Sequence, residues 1–282
     1  CGSLLKVDYA DPAPLSNTIP LPLHQPLAAM TLGEGNTPLI RVSALETRVG
    51  AAEVWLKLEG CNPTGSFKDR GMVLAVVKAL EDGSDTLICA STGNTSASAA
   101  AYAARTGMVC VVIVSAANVA FGKLAQTRAY GAKVVNIDAD FDTGLELAKE
   151  LARRQGVTLV NSLNGNRHEG QKTAAFEIID SLNLVPDEVF IPVGNAGNIS
   201  AYWEGFCQYK QEGCTGDLPR MRGFQPTEAA PIVLGRRVAN PKTIASALQI
   251  GNPANWAKAV RAQEESRGSI EMVTDSQILD AY

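Results

Sequence analysis

From Thr86 to Gln225 the chain repeats one theme, and this repetition constrains the fold more than any other feature. A short apolar run is followed by a loop of small polar residues, then by a stretch at helical spacing. The runs are Thr86–Ala90, Val109–Val114, Lys133–Ile137, Val157–Val160, Glu188–Val193 and Arg220–Gln225. The helical stretches between them are Ala97–Arg105, Ala120–Tyr130, Phe141–Gln155, Glu169–Leu182 and Ile199–Gln211. Upstream, Glu53–Leu58 alternates like a strand, and after Phe67-Lys68-Asp69-Arg70 an apolar stretch at helical spacing runs to about Leu80, a helix that Ser66 or Asp69 is expected to cap. Arg220–Gln225 reads as the last strand before a mixed tail. Strands alternating with helices at this spacing imply parallel sheets flanked by helices. In such sheets ligands lie beyond the carboxyl ends of strands, where loops lead into helices. Two loops stand out there, 91–96 and 194–198.

Composition excludes several classes. Hydrophobic residues make up 46% and the net charge is only −4, so the chain is not disordered. No basic stripe is available for nucleic acid. The long uncharged run between Arg105 and Lys123 contains Thr106, Gly107, Ser115, Asn118 and Gly122, and reads as strand, turn and helix, not as a membrane span. The six cysteines form no C-x-x-C pair, and Cys89 and Cys110 fall in apolar runs. Reduced buried thiols and a cytoplasmic location are therefore expected. Residues 1–32 are proline-rich and read as an extended arm. The first residue is Cys, so a trimmed gene fragment is expected.

Three segments carry chemistry. Gly194-Asn195-Ala196-Gly197-Asn198 follows an apolar strand; its two glycines permit a tight turn, and the next helix adds its positive end, which suits a phosphate. A strand-to-helix turn without ligand explains that loop equally well. Ser91-Thr92-Gly93-Asn94-Thr95-Ser96 collects four hydroxyls and an amide at a helix start, more than capping needs, and suits a carboxylate. Lys68, in Ser66-Phe67-Lys68-Asp69-Arg70, lies near a helix N-terminus, where a cation is mildly unfavourable. A solvated surface lysine is the ordinary explanation; a Schiff-base amine is the functional one. An imine-forming amine, a phosphate cup and a carboxylate site together match pyridoxal phosphate acting on an amino acid.

GEGNTPL, GCNPTGSFKDRGM, ASTGNTSASAAAYAA, GKLAQ, EGQKTAAFEI and VGNAGNISAYWEGF resemble the threonine synthase family, in the tryptophan synthase β-type (fold type II) group of pyridoxal-phosphate enzymes. The resemblance runs from about residue 31 to the end. It implies two α/β domains, each a mostly parallel sheet flanked by helices: a larger one from 1–62 and 168–282, and a smaller one at 63–167. It implies that Lys68 holds pyridoxal 5'-phosphate, that Asn94 bonds its phenolic oxygen, and that Gly194, Asn195, Ala196, Gly197 and Asn198 bind its phosphate. Ser91, Thr92 and Thr95 would face the substrate carboxylate. The substrate implied is O-phospho-L-homoserine, with Lys123, Asn161 and Arg167 as candidates for its phosphate; for Lys123 and Arg167 solvated surface is the alternative. A homodimer is implied, with no metal, nucleic-acid or membrane partner. A serine/threonine dehydratase of the same fold and a truncated non-catalytic relative are the competing readings.

Three departures are visible. Cys1–Tyr9 resembles the tail of a cysteine knuckle without its other cysteines, so no zinc site is expected. In the family a further segment follows the position of Tyr282 and meets the pyridine nitrogen. Weak cofactor binding by these residues alone is therefore expected. At Asn164-Gly165-Asn166-Arg167 relatives tend to show Asn-Pro-Tyr-Arg.

Overall fold

The computed structural model describes residues 30–115, 121–139 and 141–282. The proline-rich arm and the Cys1 knuckle remnant lie outside them. Among the described residues, those up to Gln171 form one compact unit and Lys172–Tyr282 form another.

The first unit opens with a two-stranded antiparallel ribbon, β1 (Leu39–Arg41) and β2 (Trp55–Lys57), spanned by α1 (Ser43–Val49). There follow α2 (Lys68–Glu81), β3 (Thr86–Ala90), α3 (Asn94–Thr106), β4 (Val109–Ser115), α4 (Phe121–Ala129), β5 (Lys133–Ile137), α5 (Phe141–Leu151) and β6 (Val157–Leu159). The sheet order is β5-β4-β3-β6, all parallel. Strand β3 shows why its sequence is a continuous apolar run. Leu87 and Cys89 join the core built on α2 and α3, while Ile88 and Ala90 join a second cluster with Ala148 of α5. A parallel strand covered on both faces has no polar side. Ala97, Ala99, Ala100 and Ala101 of α3 are at most 2% exposed; small side chains let that helix pack close.

Helix α6 (Gly165–Leu182) runs from the first unit into the second. The second unit continues with β7 (Glu188–Pro192), α7 (Gly197–Gln211), β8 (Arg220–Pro226), α8 (Pro231–Leu234), α9 (Trp256–Glu265), β9 (Ser269–Val273) and α10 (Asp275–Ala281). Its sheet is β7-β8-β9, again parallel. Strand β9 overturns the expectation of a mixed tail after Gln225. It is an edge strand on which only Ile270 is buried, so its sequence has little apolar signal. Helices α6 and α7 cross closely, with Phe176 stacked on Tyr209 at 4.5 Å between ring centroids. A Cβ on Gly205 would lie 2.8 Å from the Lys172 carbonyl oxygen, so this crossing requires glycine.

The architecture is the expected one: parallel sheets flanked by helices. No described helix is long and apolar enough to cross a membrane. Cys89 and Cys110 are free and buried, and burial pushes both thiols up.

Candidate active site

Lys68 is the first residue of α2; of the two expected caps, Ser66 Oγ accepts from the Lys68 N–H at 3.3 Å, while Asp69 does not cap. Phe67 takes the N-cap position without a side-chain bond. The Asp69 carboxylate turns back instead, accepting from the Thr64 N–H and Oγ1–H at 2.7 Å each and from Ser98 Oγ–H at 2.6 Å. The Lys68 ammonium carries no hydrogen bond or ion pair among the described residues; it lies 4.0 Å from the Phe67 ring centroid. Burial, reinforced by the Arg167 charge, lowers its pKa to about 7. An amine that is half neutral at physiological pH suits imine formation and proton transfer.

The loop after β3 divides into two sets of residues. Ser91 Oγ accepts from the Gly93 N–H, and Ser96 Oγ–H donates to the Gly93 carbonyl. These two hydroxyls hold the loop's own shape. The Thr92 and Thr95 hydroxyls have no partner among the described residues, and Asn94 Oδ1 is buried without one. Gly93 is the N-cap of α3 and supplies no side chain, so the first N–H groups of a 13-residue helix stay open. Thr92, Asn94 and Thr95 are thus the side chains left for a ligand.

The three candidates for substrate phosphate each keep a donor. Lys123 Nζ donates to the Thr64 carbonyl at 2.8 Å and to Gln126 Oε1 at 3.3 Å, beside the loop that leads to Lys68. Asn161 pairs with Ala90 on both sides, Nδ2–H to its carbonyl at 2.8 Å and Oδ1 from its N–H at 3.0 Å. It thereby extends the β3 ladder where β6 has ended. Arg167 is 2% exposed; Nη1 donates to the Val160 carbonyl, and the buried Nε–H has no partner. Burial lowers its pKa to about 10. Solvated surface is the wrong description of Arg167, though the sequence reading allowed it.

Several residues around this site were missed in the sequence reading. Arg70 is buried against Glu59, Nε to Oε2 at 2.7 Å, and also donates to Thr37 Oγ1. Asn62 Oδ1 accepts from the Gly35 N–H, and Glu34 Oε2 from Tyr102 O–H at 2.6 Å. These bonds fasten the GEGNTPL loop to α2 and α3. Charged residues in turn-rich segments carry no periodic signal, so only the fold pairs them.

In the second unit, the loop 194–198 lies between β7 and α7. The left-handed residue is Ala196, at φ 62°, and neither glycine of the loop has a positive φ. The glycines answer close approach instead: a Cβ on Gly194 would lie 3.1 Å from the Ala247 carbonyl oxygen, and one on Gly197 3.2 Å from Asn255 Nδ2. Asn195 Oδ1 accepts from the Ala254 N–H at 2.6 Å. The segment 245–255 therefore buttresses the loop. No side chain caps α7, and Asn198 Oδ1 is buried without a partner. An open helix start with a braced backbone is what a phosphate group requires. The residues present thus fit pyridoxal phosphate on both counts, an unpaired lowered-pKa amine and an uncapped glycine-containing cup.

The comparisons agree. The family model described as pyridoxal-phosphate dependent enzyme matches residues 30–282. The chain belongs to that family, whose cofactor is pyridoxal phosphate. A threonine synthase of Bacillus sp. (strain ULM1) is 54% identical over 262 residues, 93% of this chain and 74% of that protein. The threonine synthase of Methanocaldococcus jannaschii is 50% identical over 270 residues, 93% of this chain and 67% of that one. Within the family the chain's place is among the threonine synthases. Solved structures share the fold at lower identity. A threonine deaminase from T.th. superposes with a TM-score of 0.70 at 26% identity, covering 88% of this chain and 79% of that one. Maize serine racemase gives a TM-score of 0.74 at 21% identity, covering 90% and 76%.

Proposed function

We propose that the chain converts O-phospho-L-homoserine and water to L-threonine and phosphate, with Lys68 as the residue that carries pyridoxal 5'-phosphate. Bound there, the cofactor supplies an electron sink for charge developing at the substrate's α-carbon. The observation that carries the assignment is the Lys68 amine: half-buried, unpaired among the described residues and lowered to about 7. With the cofactor bound, the Lys68 nitrogen would be the base placed to take the substrate's α-proton. Thr92 and Thr95, with Ser91 shaping their loop, hold the substrate carboxylate against the open N–H groups of α3. Asn94 bonds the cofactor's phenolic oxygen. Gly194, Asn195, Ala196, Gly197 and Asn198 bind its phosphate through backbone N–H groups.

Lys123, Asn161 and Arg167 take the substrate phosphate. Each keeps an N–H donor after its protein contacts are counted, and two of them bring positive charge. On this reading the functional division is one of role: 63–167 carries the amine and the substrate contacts, while 1–62 with 168–282 anchors the cofactor phosphate. Following the family resemblance, we extend the proposal to a cytoplasmic homodimer, which sedimentation of the purified protein tests.

The decisive experiment is borohydride reduction of the cofactor-loaded protein, followed by peptide mapping. The label is expected on Lys68, with phosphate release from O-phosphohomoserine in the unreduced enzyme. A label on another side chain refutes the site. Ketoacid from threonine without phosphate release from O-phosphohomoserine would transfer the chain to the dehydratases.

A further inference from the structure

The Asp69 carboxylate receives three donors from two places. Two come from Thr64, in the loop before Lys68, and one from Ser98, one turn into α3. The Thr64 carbonyl in turn receives Lys123 Nζ at 2.8 Å and Gln126 Nε2 at 3.4 Å, both from α4. A parallel link joins α3 to α4, with Thr127 Oγ1–H to Ser96 Oγ at 3.3 Å and to the Lys123 carbonyl at 2.8 Å. Asp69, Ser96, Ser98 and Thr127 are all buried and inaccessible to solvent. Three segments therefore meet at one small polar cluster: the Lys68 loop, the helix that carries the 91–96 loop, and the helix that carries Lys123.

The Asp69, Ser98, Ser96 and Thr127 side chains are all engaged within the cluster. A carboxylate dehydrated to this degree costs stability unless its bonds are kept, and removing it alone would strand the Thr64 and Ser98 donors. What the cluster does achieve is register. Helices α2 and α3 are separate elements joined by an apolar core, and apolar packing tolerates small slides that directional bonds do not.

We propose that Asp69, through Ser98 and Thr64, is a positioning residue that sets the Lys68 amine against the 91–95 loop. The inference rests on the assignment of Lys68 and that loop to the cofactor and the substrate. It adds a residue that touches neither. A misplacement of about 1 Å between a base and its substrate can cost about a hundredfold in rate, so bonds of this kind have leverage on turnover out of proportion to their number.

The test uses the cofactor-loaded enzyme and three variants. Ser98→Ala removes one donor from a helix interior, where alanine is well tolerated. Its kcat is expected to fall about tenfold, equivalent to roughly 1.4 kcal/mol, with KM within about twofold. Asp69→Ala is expected to lose at least about a hundredfold in kcat. Asp69→Asn keeps an acceptor for the Thr64 N–H and offers Nδ2–H to the two hydroxyls, which can turn to accept it; it is expected to recover most of the lost kcat. All three are expected to take the borohydride label at Lys68, measured below their melting temperatures. Lower melting temperatures with wild-type kcat in Ser98→Ala and Asp69→Ala would reduce the cluster to a structural role and overturn the proposal. So would an Asp69→Asn variant as slow as Asp69→Ala. Failure of the wild-type enzyme to label at Lys68 would instead overturn the assignment on which the proposal rests.

Discussion

Lys68 is a residue whose neighbours decide its chemistry. A lysine in water titrates near 10.5, and here burial and the Arg167 charge bring it to about 7. The sign of the effect is testable. Below pH 7 the amine is mainly protonated and cannot attack the cofactor aldehyde, so loading of the cofactor-free protein is expected to accelerate about tenfold per pH unit there. Above pH 7 the rate is expected to level off. Stopped-flow absorbance from pH 5.5 to 9 measures it, and a rate that keeps climbing to pH 9 would place the amine in an ordinary solvated setting. The sequence could nominate Lys68 because of its motif. It could not supply Arg167 as the neighbouring charge, because 99 positions of chain separate the two (167 minus 68) and only the packing of α6 on α2 brings them together.

That packing belongs to the scale of elements, and it depends on two glycines. A Cβ on Gly71 of α2 would lie 2.3 Å from the Arg167 carbonyl oxygen, and one on Gly170 of α6 would lie 1.9 Å from the Arg70 carbonyl oxygen. Backbone cannot yield as a flexible side chain can. Gly71→Ala and Gly170→Ala are each expected to destabilise the fold by about 3 kcal/mol or more in urea titration. Gly60→Ala, where a Cβ meets nothing within 4 Å, is expected to stay within about 1 kcal/mol of wild type. Equal effects at all three positions would deny the crossing its steric origin. Helix and strand positions were legible wherever the apolar pattern was strong. Thr86–Ala90 and Lys133–Ile137 match the expected strands to the residue, whereas β9, with Glu271 and Met272 exposed, was missed. The start of α3 at Asn94, not Ala97, was missed because the polar run 91–96 reads as loop throughout, and Gly93, not one of its hydroxyl residues, takes the N-cap position.

At the scale of the molecule, two compact units each carry a parallel sheet and a core of their own. Independent cores of this kind are expected to unfold in separate steps. Scanning calorimetry of the cofactor-free protein is expected to resolve two transitions; a single one, with equal calorimetric and van't Hoff enthalpies, would show one cooperative body. The sequence by itself determined the α/β class, the family, the lysine and the two loops, because these are written in local patterns: alternation of apolar runs, and small polar residues clustered at strand ends. The tertiary structure alone decided which of the loop's hydroxyls are spent on its own shape, that Ala196 and not a glycine takes the left-handed turn, and that Asp69 serves Thr64 and Ser98 instead of capping its helix. Those outcomes turn on which donors and acceptors come within about 3 Å of each other after folding, and separation along the chain does not encode that distance.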